Sequence, residues 1–554
     1  MTFNHISKAT ALANPVTLRE FAVALSKTWG TTNKANPSRT IGLAISGGVD
    51  SMALAALCLK VKSSASVPSQ MQFRAFVIDH AARPSSSEEA IQVVQVLEQK
   101  GIPGQVLNVA WEGQLKPSEL SNFESLARKH RYQLLGKACK QHGITSLLVA
   151  HHQDDQAETV LMRILAGQRG PALQGIKGEN GIPECYGLHG IWESGEISTT
   201  TFGSVEDTGQ LQIETGGIRI QRPLLGFSKD RLIATCEAED MTWFEDQSNQ
   251  DPTLTTRNAI RHLYRVNKVP SALSKDRLLH LTERCHAAAT LRDGLKKHYL
   301  AKCEVTRFAS RSGTIIIKFS DLNDHDLMLA ATLLRHIIML ITPEEHVSVS
   351  SLHGAVKHVF DQRDAGQSTA SAIRFNVAGV LFESLKEDIT LNNYTEVPKR
   401  TPQSRWLICR QTYLSSVPKP SFSVAPCPPQ ETVWSDWQLW DGRYWIRLVH
   451  HFGKPLVIRP FSPGDVAKFR RSLSLAGAKN LRRYFATIAK GAIRYTLPCI
   501  VAEDNGEETV VGLPSLDLYS SSAPMKCQIR YKKIYLDGLS LQTGQEKSQP
   551  VKDG

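Results

Sequence analysis

Short apolar runs separated by longer amphipathic stretches organise the first half of the chain. Ile41–Ile45, Phe73–Ile78, Gln105–Val109 and Ser146–Ala150 are brief and bounded by turn residues, the pattern of strands covered on both faces. Between them, Met52–Val61 has helical character. Pro84–Gln99 places Pro near a first turn and Gly101 just past the end. Asn122–Gln141 carries Phe123, Leu126, Ala127, Leu134 and Ala138 at helical spacing and stops near Gly143. This alternation predicts an α/β fold with a doubly wound parallel sheet over residues 39–262. Within it, residues 175–217 are rich in Gly, Thr, Ser and Glu with weak periodicity, and read as a long surface insertion. Ser274–Leu300 and Asp326–Ile341 predict helices, so residues 263–396 are expected to form a mostly helical, or mixed, middle domain. Seven prolines mark residues 397–429 as a linker. Residues 430–545 are then a small α+β C-terminal domain, in which Trp434, Trp437, Trp440 and Trp445 read as a β core rather than a base-stacking platform.

Composition narrows the class. A chain of 554 residues exceeds one ordinary core. The formal charge of +12 favours an anionic macromolecular partner. No apolar stretch is long enough to span a bilayer, so no membrane is expected. The ten cysteines are scattered without a C-x-x-C pair, which argues against a zinc ribbon or iron–sulfur site and for a reducing compartment rather than secretion. Residues 1–38 form a basic extension: the first 40 residues hold five Lys/Arg against Glu20 alone. That composition fits a transit segment to the mitochondrion or another organelle, or a basic tail on a cytoplasmic protein.

Ser46-Gly47-Gly48-Val49-Asp50-Ser51 joins a predicted strand to a predicted helix. Adjacent glycines let a backbone approach a ligand closely, and a helix start offers unpaired N–H groups to an anion. The Walker phosphate loop ends in Gly-Lys-Ser/Thr, whereas here Asp50 follows the glycines and no lysine comes after them until Lys60. A carboxylate beside polyphosphate implies a bridging cation, so Asp50 is a candidate Mg²⁺ ligand. The segment resembles the PP-loop of ATP pyrophosphatases, which cleave ATP to AMP and diphosphate on an adenine nucleotide α-hydrolase-like fold.

The run Ser146–Ala150 leads directly into His151-His152-Gln153-Asp154-Asp155-Gln156-Ala157-Glu158-Thr159. Asp155 and Glu158 are three apart and share a helix face. Acids in a first turn complement a helix dipole, which accounts for one carboxylate but not for this density. A zinc site is the rival reading, and neighbouring histidines on a helix do not converge on one ion.

Taken together, these two segments resemble the tRNA(Ile)-lysidine synthase family. Further pieces follow in order: Ile78-Asp79-His80 with Ser85–Glu89, Asn122-Phe123-Glu124 with Ala127-Arg128 and Arg131-Tyr132, Arg222-Pro223-Leu224-Leu225, and Trp243–Asn249 with Asp251 and Arg257-Asn258. The likeness is close from about Gly42 to His262 and returns at Ile458–Asp465. Ala166 before Gly167, the length of the 175–217 insertion, and Lys479-Asn480 in place of a Lys-Lys pair depart from the family pattern.

The resemblance implies an ATP-dependent ligase joining free L-lysine to C2 of the wobble cytidine of a CAU-anticodon isoleucine tRNA. AMP transferred to O2 makes a leaving group, and the lysine ε-amine displaces it. In that reading Ser46, Gly47, Gly48, Val49, Asp50 and Ser51 bind ATP, with Asp50 on Mg²⁺. Asp50, Asp154, Asp155 and Glu158 form the catalytic set, and Arg128, Asp155 and Glu158 bind lysine. Arg257, Asn258, Arg261, Lys479, Arg482 and Arg483 bind tRNA. The last three belong to a stretch, Val466–Val501, with eight Lys/Arg and no Asp/Glu. A homodimer is left open. Two alternatives stand beside this reading. One is a thiolase-like PP-loop tRNA enzyme, which would need the paired cysteines this chain lacks. The other is a catalytically inactive tRNA-binding protein on the same fold.

Overall fold

The computed structural model describes residues 13–29, 40–64, 71–81, 85–111, 123–198, 210–244, 253, 255–320, 322, 326–360, 373–385, 405–428, 431–504, 506–521 and 523–541. Pro84, Asn122, the 245–249 part of the Trp243–Asn249 segment and Asp251 lie outside them. The chain divides into two compact units, one of residues 1–186, 190–193 and 216–291, the other of residues 187–189, 194–215 and 292–554.

The first unit runs α1 (Leu18–Trp29), β1 (Thr40–Ile45), α2 (Val49–Ser63), β2 (Gln72–Asp79), α3 (Ser86–Gln99), β3 (Gly104–Asn108), α4 (Phe123–Gln141), β4 (Ser146–Leu148), α5 (Gln153–Leu165) and β5 (Glu179–Gly181). The chain next forms a ribbon of β6 (Gly195–Ile197) and β7 (Glu214–Gly216), all but Gly216 of which belongs to the second unit. The chain then makes β8 (Arg219–Gln221), α6 (Lys229–Ala238), α7 (Thr256–Arg265) and α8 (Lys275–Ala301). The sheet order is β3-β2-β1-β4-β8-β5. All neighbours are parallel except β5 with β8. The doubly wound α/β expectation therefore holds for this unit. β1 lies between β2 and β4, so the strand order reverses there, and the carboxyl ends of β1 and β4 open side by side at the switch point where such sheets bind ligands. α2 is buried on every side from Met52 to Cys58, which explains its apolar, non-amphipathic sequence.

Residues 16–25, which the sequence assigns to the N-terminal extension, pack into this core: Val16, Phe21 and Leu25 are buried with α2 and α6 residues. Arg231 on α6 fastens the segment through Glu20 at 2.8 Å. The 175–217 stretch is also less superficial than its composition implies. Ile182, Cys185, Ile191, Ile213 and Glu214 are buried. Positive-φ glycines at 187, 190 and 195 break it into turns too short to show a period.

The second unit is largely β, which corrects the expectation of a mostly helical middle domain. Its elements are β9 (Glu304–Ala309), β10 (Thr314–Lys318), α9 (Leu327–Met339), α10 (His353–Phe360), β11 (Arg374–Val377), β12 (Val380–Leu385), β13 (Arg405–Arg410), β14 (Phe422–Val424), β15 (Gln438–Trp440), β16 (Tyr444–His450), β17 (Leu456–Pro460), α11 (Asp465–Ser472), α12 (Leu475–Thr487), β18 (Pro498–Asp504), β19 (Glu507–Leu513), β20 (Leu518–Tyr519), β21 (Met525–Tyr531) and β22 (Ser540–Leu541). They build sheets ordered β11-β12-β13-β10-β9-β22, β14-β17-β18-β19-β20 and β15-β16-β21. The two long helical periods dominate the sequence signal, while the β-branched run Thr314–Lys318, turned by Gly313 at φ +61°, supplies a central strand. β13 lies inside the Pro-rich stretch read as a linker. Its prolines fall outside residues 405–410, and Trp406 and Ile408 alternate into the core at 1% and 0% exposure.

Candidate active site

At the end of β1 the backbone turns through Gly47 at φ +84°. A Cβ there would meet Val93 Cγ2 at 2.7 Å, so glycine is required both by conformation and by space. Gly47 O accepts the Phe244 N–H at 2.9 Å, and Gly48 caps α2 without a side chain. Ser51 and Met52 N–H groups both return to Gly48 O at 3.0 Å. The N–H groups ahead of them have no intrahelical acceptor, which is the condition for anion binding. Ser51 is buried and braces the turn: its hydroxyl donates to Gly48 O at 2.9 Å and accepts the Ser46 N–H at 3.2 Å. Ser46 is exposed.

Asp50, on the first turn of α2, meets the second motif. Its Oδ2 lies 3.5 Å from His152 Nε2 and 3.8 Å from Lys229 Nζ. Burial opposes its ionisation, but His152, Lys229 and Arg261 together hold the carboxyl below its ordinary range. Its Oδ1 is buried and has no hydrogen-bond partner. One orphaned carboxylate oxygen beside a phosphate turn matches the way Mg²⁺ is held, by one or two carboxylates together with substrate phosphates.

β4 delivers His151 and His152 to the same end of the sheet. His152 is the N-cap of α5: its backbone N–H donates to Asp155 Oδ2 at 3.1 Å, and its Nδ1 accepts the Asp154 N–H at 3.2 Å. The buried ring stands 3.5 Å from carboxylate oxygens of Asp50, Asp154 and Asp155. Burial disfavours its charge, but these acids push the imidazole up to about 10. Asp50 and Asp155 face Nε2, where a proton serves them, while at Nδ1 the Asp154 N–H asks for a lone pair and the Asp154 carboxylate for a proton. The summed field of the three carboxylates favours the imidazolium at neutral pH. His151 behaves oppositely: burial, with Arg222 and Arg257 nearby, lowers it to about 4, and its Nδ1 accepts from Arg222 Nε at 3.3 Å.

Each acid on α5 has partners. Asp154 accepts the Lys229 N–H at 2.9 Å and pairs with Lys275, which ties it to the starts of α6 and α8 and keeps it well below the carboxylate range against the cost of burial. Asp155 Oδ1 takes Arg261 Nη2 at 3.2 Å. Glu158 Oε1 takes Arg261 Nε at 2.7 Å, and Arg257 Nε approaches Oε2 to 3.3 Å without hydrogen-bond geometry. Burial raises Glu158 above its ordinary value even with Arg261 pulling it down.

The structure thus gathers Asp50, Asp154, Asp155 and Glu158 with the PP-turn. It also places Arg257 and Arg261 on these acids, where the sequence reading put tRNA contacts. Asn258 is buried on α7, with its N–H on Thr255 Oγ1 at 3.0 Å. Arg128 pairs with Glu184 at 3.2 Å and lies 4.9 Å over the Tyr132 ring; no contact joins it to Asp155 or Glu158 among the described residues. Lys479, Arg482 and Arg483 are exposed on α12. Sequence reasoning gave no role to His152, Arg222, Lys229 or Lys275. The signals were a His-His pair at a strand end, the Arg222-Pro223-Leu224-Leu225 segment, and a lysine just inside each of two helix starts.

Fold and site define a nucleotide-activating PP-loop protein, and residues 18–267 match the family model described as a PP-loop domain. A "probable tRNA(Ile)-lysidine synthase" of Schizosaccharomyces pombe is 29% identical over 504 residues, covering 89% of this chain and 95% of that protein. The tRNA(Ile)-lysidine synthase of Wolbachia pipientis wMel is 30% identical over 369 residues, 64% of this chain and 73% of that one. That of a Bradyrhizobium strain is 31% identical over 279 residues, 50% and 66% respectively. The chain belongs to the tRNA(Ile)-lysidine synthase family.

Proposed function

We propose that this chain activates C2 of the wobble cytidine of a CAU-anticodon isoleucine tRNA with ATP, and replaces the AMP with the ε-amine of free lysine to form lysidine. The observation that carries the reading is the continuity of one charge network from the ATP turn to the carboxylate pair: Asp50 to His152 at 3.5 Å, His152 to Asp155 at 3.5 Å, Asp155 to Arg261 at 3.2 Å and Arg261 to Glu158 at 2.7 Å. Two successive steps on one cytidine require their two sets of groups to be adjacent, and these are.

The N–H groups of the Gly47–Asp50 turn take the phosphates. Asp50 would hold Mg²⁺ through its free Oδ1, and the ion would neutralise phosphate charge. Asp155 and Glu158 receive the lysine amine. Because Arg261 already balances them, the site does not trap the amine as ammonium. Delivering a neutral ε-amine from bulk at pH 7 costs roughly 4–5 kcal/mol, and a balanced site offsets part of that. Asp154, His152 and Lys229 brace the junction. Lys479, Arg482 and Arg483 form a phosphate-tracking face for the tRNA. Arg128, half-exposed and joined to Glu184 through Nε, is the candidate partner of the lysine carboxylate.

The test is mass analysis of a CAU-anticodon tRNA after incubation with the protein, ATP and isotopically labelled lysine. Label in the wobble base is expected. Its absence with active protein ends the proposal, and sulfur in the product would point to a thiolase instead.

A further inference from the structure

The face of the β15-β16-β21 sheet turned away from the main core of the second unit carries an unusual set of side chains. On β16, Tyr444, Ile446 and Leu448 enter the core, together with Tyr531 of β21. Strand alternation therefore sends Trp445 and Arg447 to the opposite face, beside Arg530 and Gln528, their register partners on β21. Trp434 and Trp437, which precede β15, fold over these residues. Trp440 and Trp445 are fully buried as a β core requires, but Trp434 and Trp437 are only partly covered, which corrects the reading of all four as core.

The result is a stack. The Arg447 guanidinium lies 4.9 Å from the Trp434 ring and 4.7 Å from the Trp437 ring. Arg530 lies 4.5 Å from Trp437, and His189 stacks on Trp437 at 5.0 Å. Glu214, with no exposed surface, holds Arg530 and His189, each at 2.9 Å. Arg447 is different. Its Nε donates to Gln528 at 2.8 Å, and among the described residues no carboxylate pairs with it. Burial and the Arg530 charge both weigh against its ionisation. A guanidinium held within about 5 Å of two indole rings, with its Nη donors unassigned and no carboxylate partner among the described residues, is preorganised for an anion. Trp434 has Arg447 as its one ring partner among the described residues.

We propose that this ladder binds unpaired RNA, one base stacking on Trp434 and the adjacent phosphate taken by the Arg447 fork. The occupant follows from the combination. A phosphate alone explains an arginine pair but not a partly exposed indole, and an apolar partner explains the indole but not an uncompensated cation. Single-stranded nucleic acid supplies both at one-nucleotide spacing. The assignment deepens the tRNA reading and rests on it for the identity of the RNA. It adds a site for unpaired nucleotides separate from the helical surface of α12. His189 and Glu214 come from residues 175–217, so that stretch acquires a role in holding the ladder.

The test uses the full chain with a fluorescein-labelled, unstructured oligoribonucleotide and, in parallel, an RNA duplex of equal length. Trp434→Ala should weaken single-strand binding about tenfold, within the range of one lost base–aromatic stack, and leave duplex binding unchanged. Trp434→Phe should restore most of the loss. Arg447→Gln should weaken single-strand binding similarly and flatten its log–log salt dependence by about 0.7. Single-strand affinity equal to wild type in either Trp434→Ala or Arg447→Gln, with an unchanged thermal midpoint, overturns the proposal. So does selective loss of a phosphoserine peptide with the oligonucleotide unaffected. Should Trp434→Ala fail to fold, Arg447→Gln carries the test, since Arg447 contributes nothing to the buried core. Lysidine formation is scored separately: a chain that makes lysidine but fails these assays refutes the ladder alone, and one that passes them without making lysidine refutes the activity alone.

Discussion

Replacing Arg261 by Gln separates a carboxylate-balancing role from a tRNA-binding one. In the structure the Glu158 side chain is 5% exposed and bonded to Arg261 Nε at 2.7 Å. A hydrogen bond from a cation to a buried carboxylate contributes about 1.5–3 kcal/mol. Glu158 already sits above its ordinary range because burial outweighs Arg261. Without the guanidinium its ionised form loses that contribution, protonation moves toward neutral pH, and Asp155 loses its 3.2 Å contact as well. At about 1.4 kcal/mol per factor of ten, the KM for lysine should rise roughly ten- to a hundredfold near pH 7. The sign with pH follows. A carboxyl shifted upward is neutral below its new value and recovers charge above it, so the variant-to-wild-type ratio of KM should shrink as pH rises from about 7 to about 9. Transfer of AMP to tRNA in the absence of lysine should be nearly unchanged. The assay is steady-state incorporation of labelled lysine at several pH values, with the KM for tRNA measured in the same series. A defect confined to tRNA KM, or a lysine defect that ignores pH, would refute the reasoning and return Arg261 to the RNA interface.

Other outcomes follow from the same geometry. Asp50→Asn should abolish ATP-dependent AMP transfer while the fold persists, checked by AMP release and thermal unfolding, because the orphaned Oδ1 is the oxygen left for a cation. Gly47→Ala should destabilise the turn by about 1–3 kcal/mol through its positive φ, and further through the 2.7 Å approach to Val93. Adding Val93→Ala should relieve only the second part, and full recovery of the melting temperature would contradict the conformational argument. His152 is raised to about 10 in the fold against roughly 6.5 unfolded, so its stabilisation is complete below about 6.5 and lost as pH climbs through about 10. A His152→Asn protein should therefore show a flatter alkaline limb in denaturant titrations than wild type. Arg482→Ala with Arg483→Ala should weaken tRNA binding and reduce its salt slope by about two, with lysine KM unmoved.

How far the sequence reveals the site depends on the range over which its parts act. The PP-turn is legible because strand, glycines and helix start lie within about twenty residues and every constraint on them is local. Only spatial details escape, such as Val93 closing on Gly47 or the hydroxyl of Ser51 closing the turn instead of facing a ligand. The His151–Glu158 segment is legible as chemistry but not as wiring. Its partners Lys229, Arg261 and Lys275 arrive from helices more than seventy residues away, and each looks like an ordinary surface cation on its own helix. The second unit is least legible. Its two long helical periods are conspicuous, whereas strands of two to seven residues, some set among prolines, gain their definition from cross-strand neighbours, as Trp406 and Ile408 do in β13. The same limit hides the Trp–Arg ladder: four tryptophans in twelve residues look alike until alternation across β16 places Trp445 and Arg447 on the far side from Tyr444 and Ile446.

The charge balance of the cluster bears on why the nucleophile and the activating site share one network. Four carboxylates, of Asp50, Asp154, Asp155 and Glu158, face His152, Lys229, Lys275, Arg257 and Arg261. A pocket with excess negative charge would bind lysine tightly as the ammonium, the form that cannot attack. A pocket with excess positive charge would repel it before reaction. Near-neutral balance instead lets each substrate set the local field. Polyphosphate at the PP-turn adds negative charge beside Asp50 and favours the His152 proton. When diphosphate leaves, that charge falls, and the cations on α6 and α7 weigh more heavily on any ammonium at Asp155 and Glu158, favouring its deprotonation at the stage when the activated cytidine is present. On this argument lysine affinity should fall after diphosphate release. Equilibrium dialysis of lysine against the protein with a non-hydrolysable ATP analogue and against the protein with AMP should show tighter binding in the first case, and equal affinities would mean that the two halves of the network act independently.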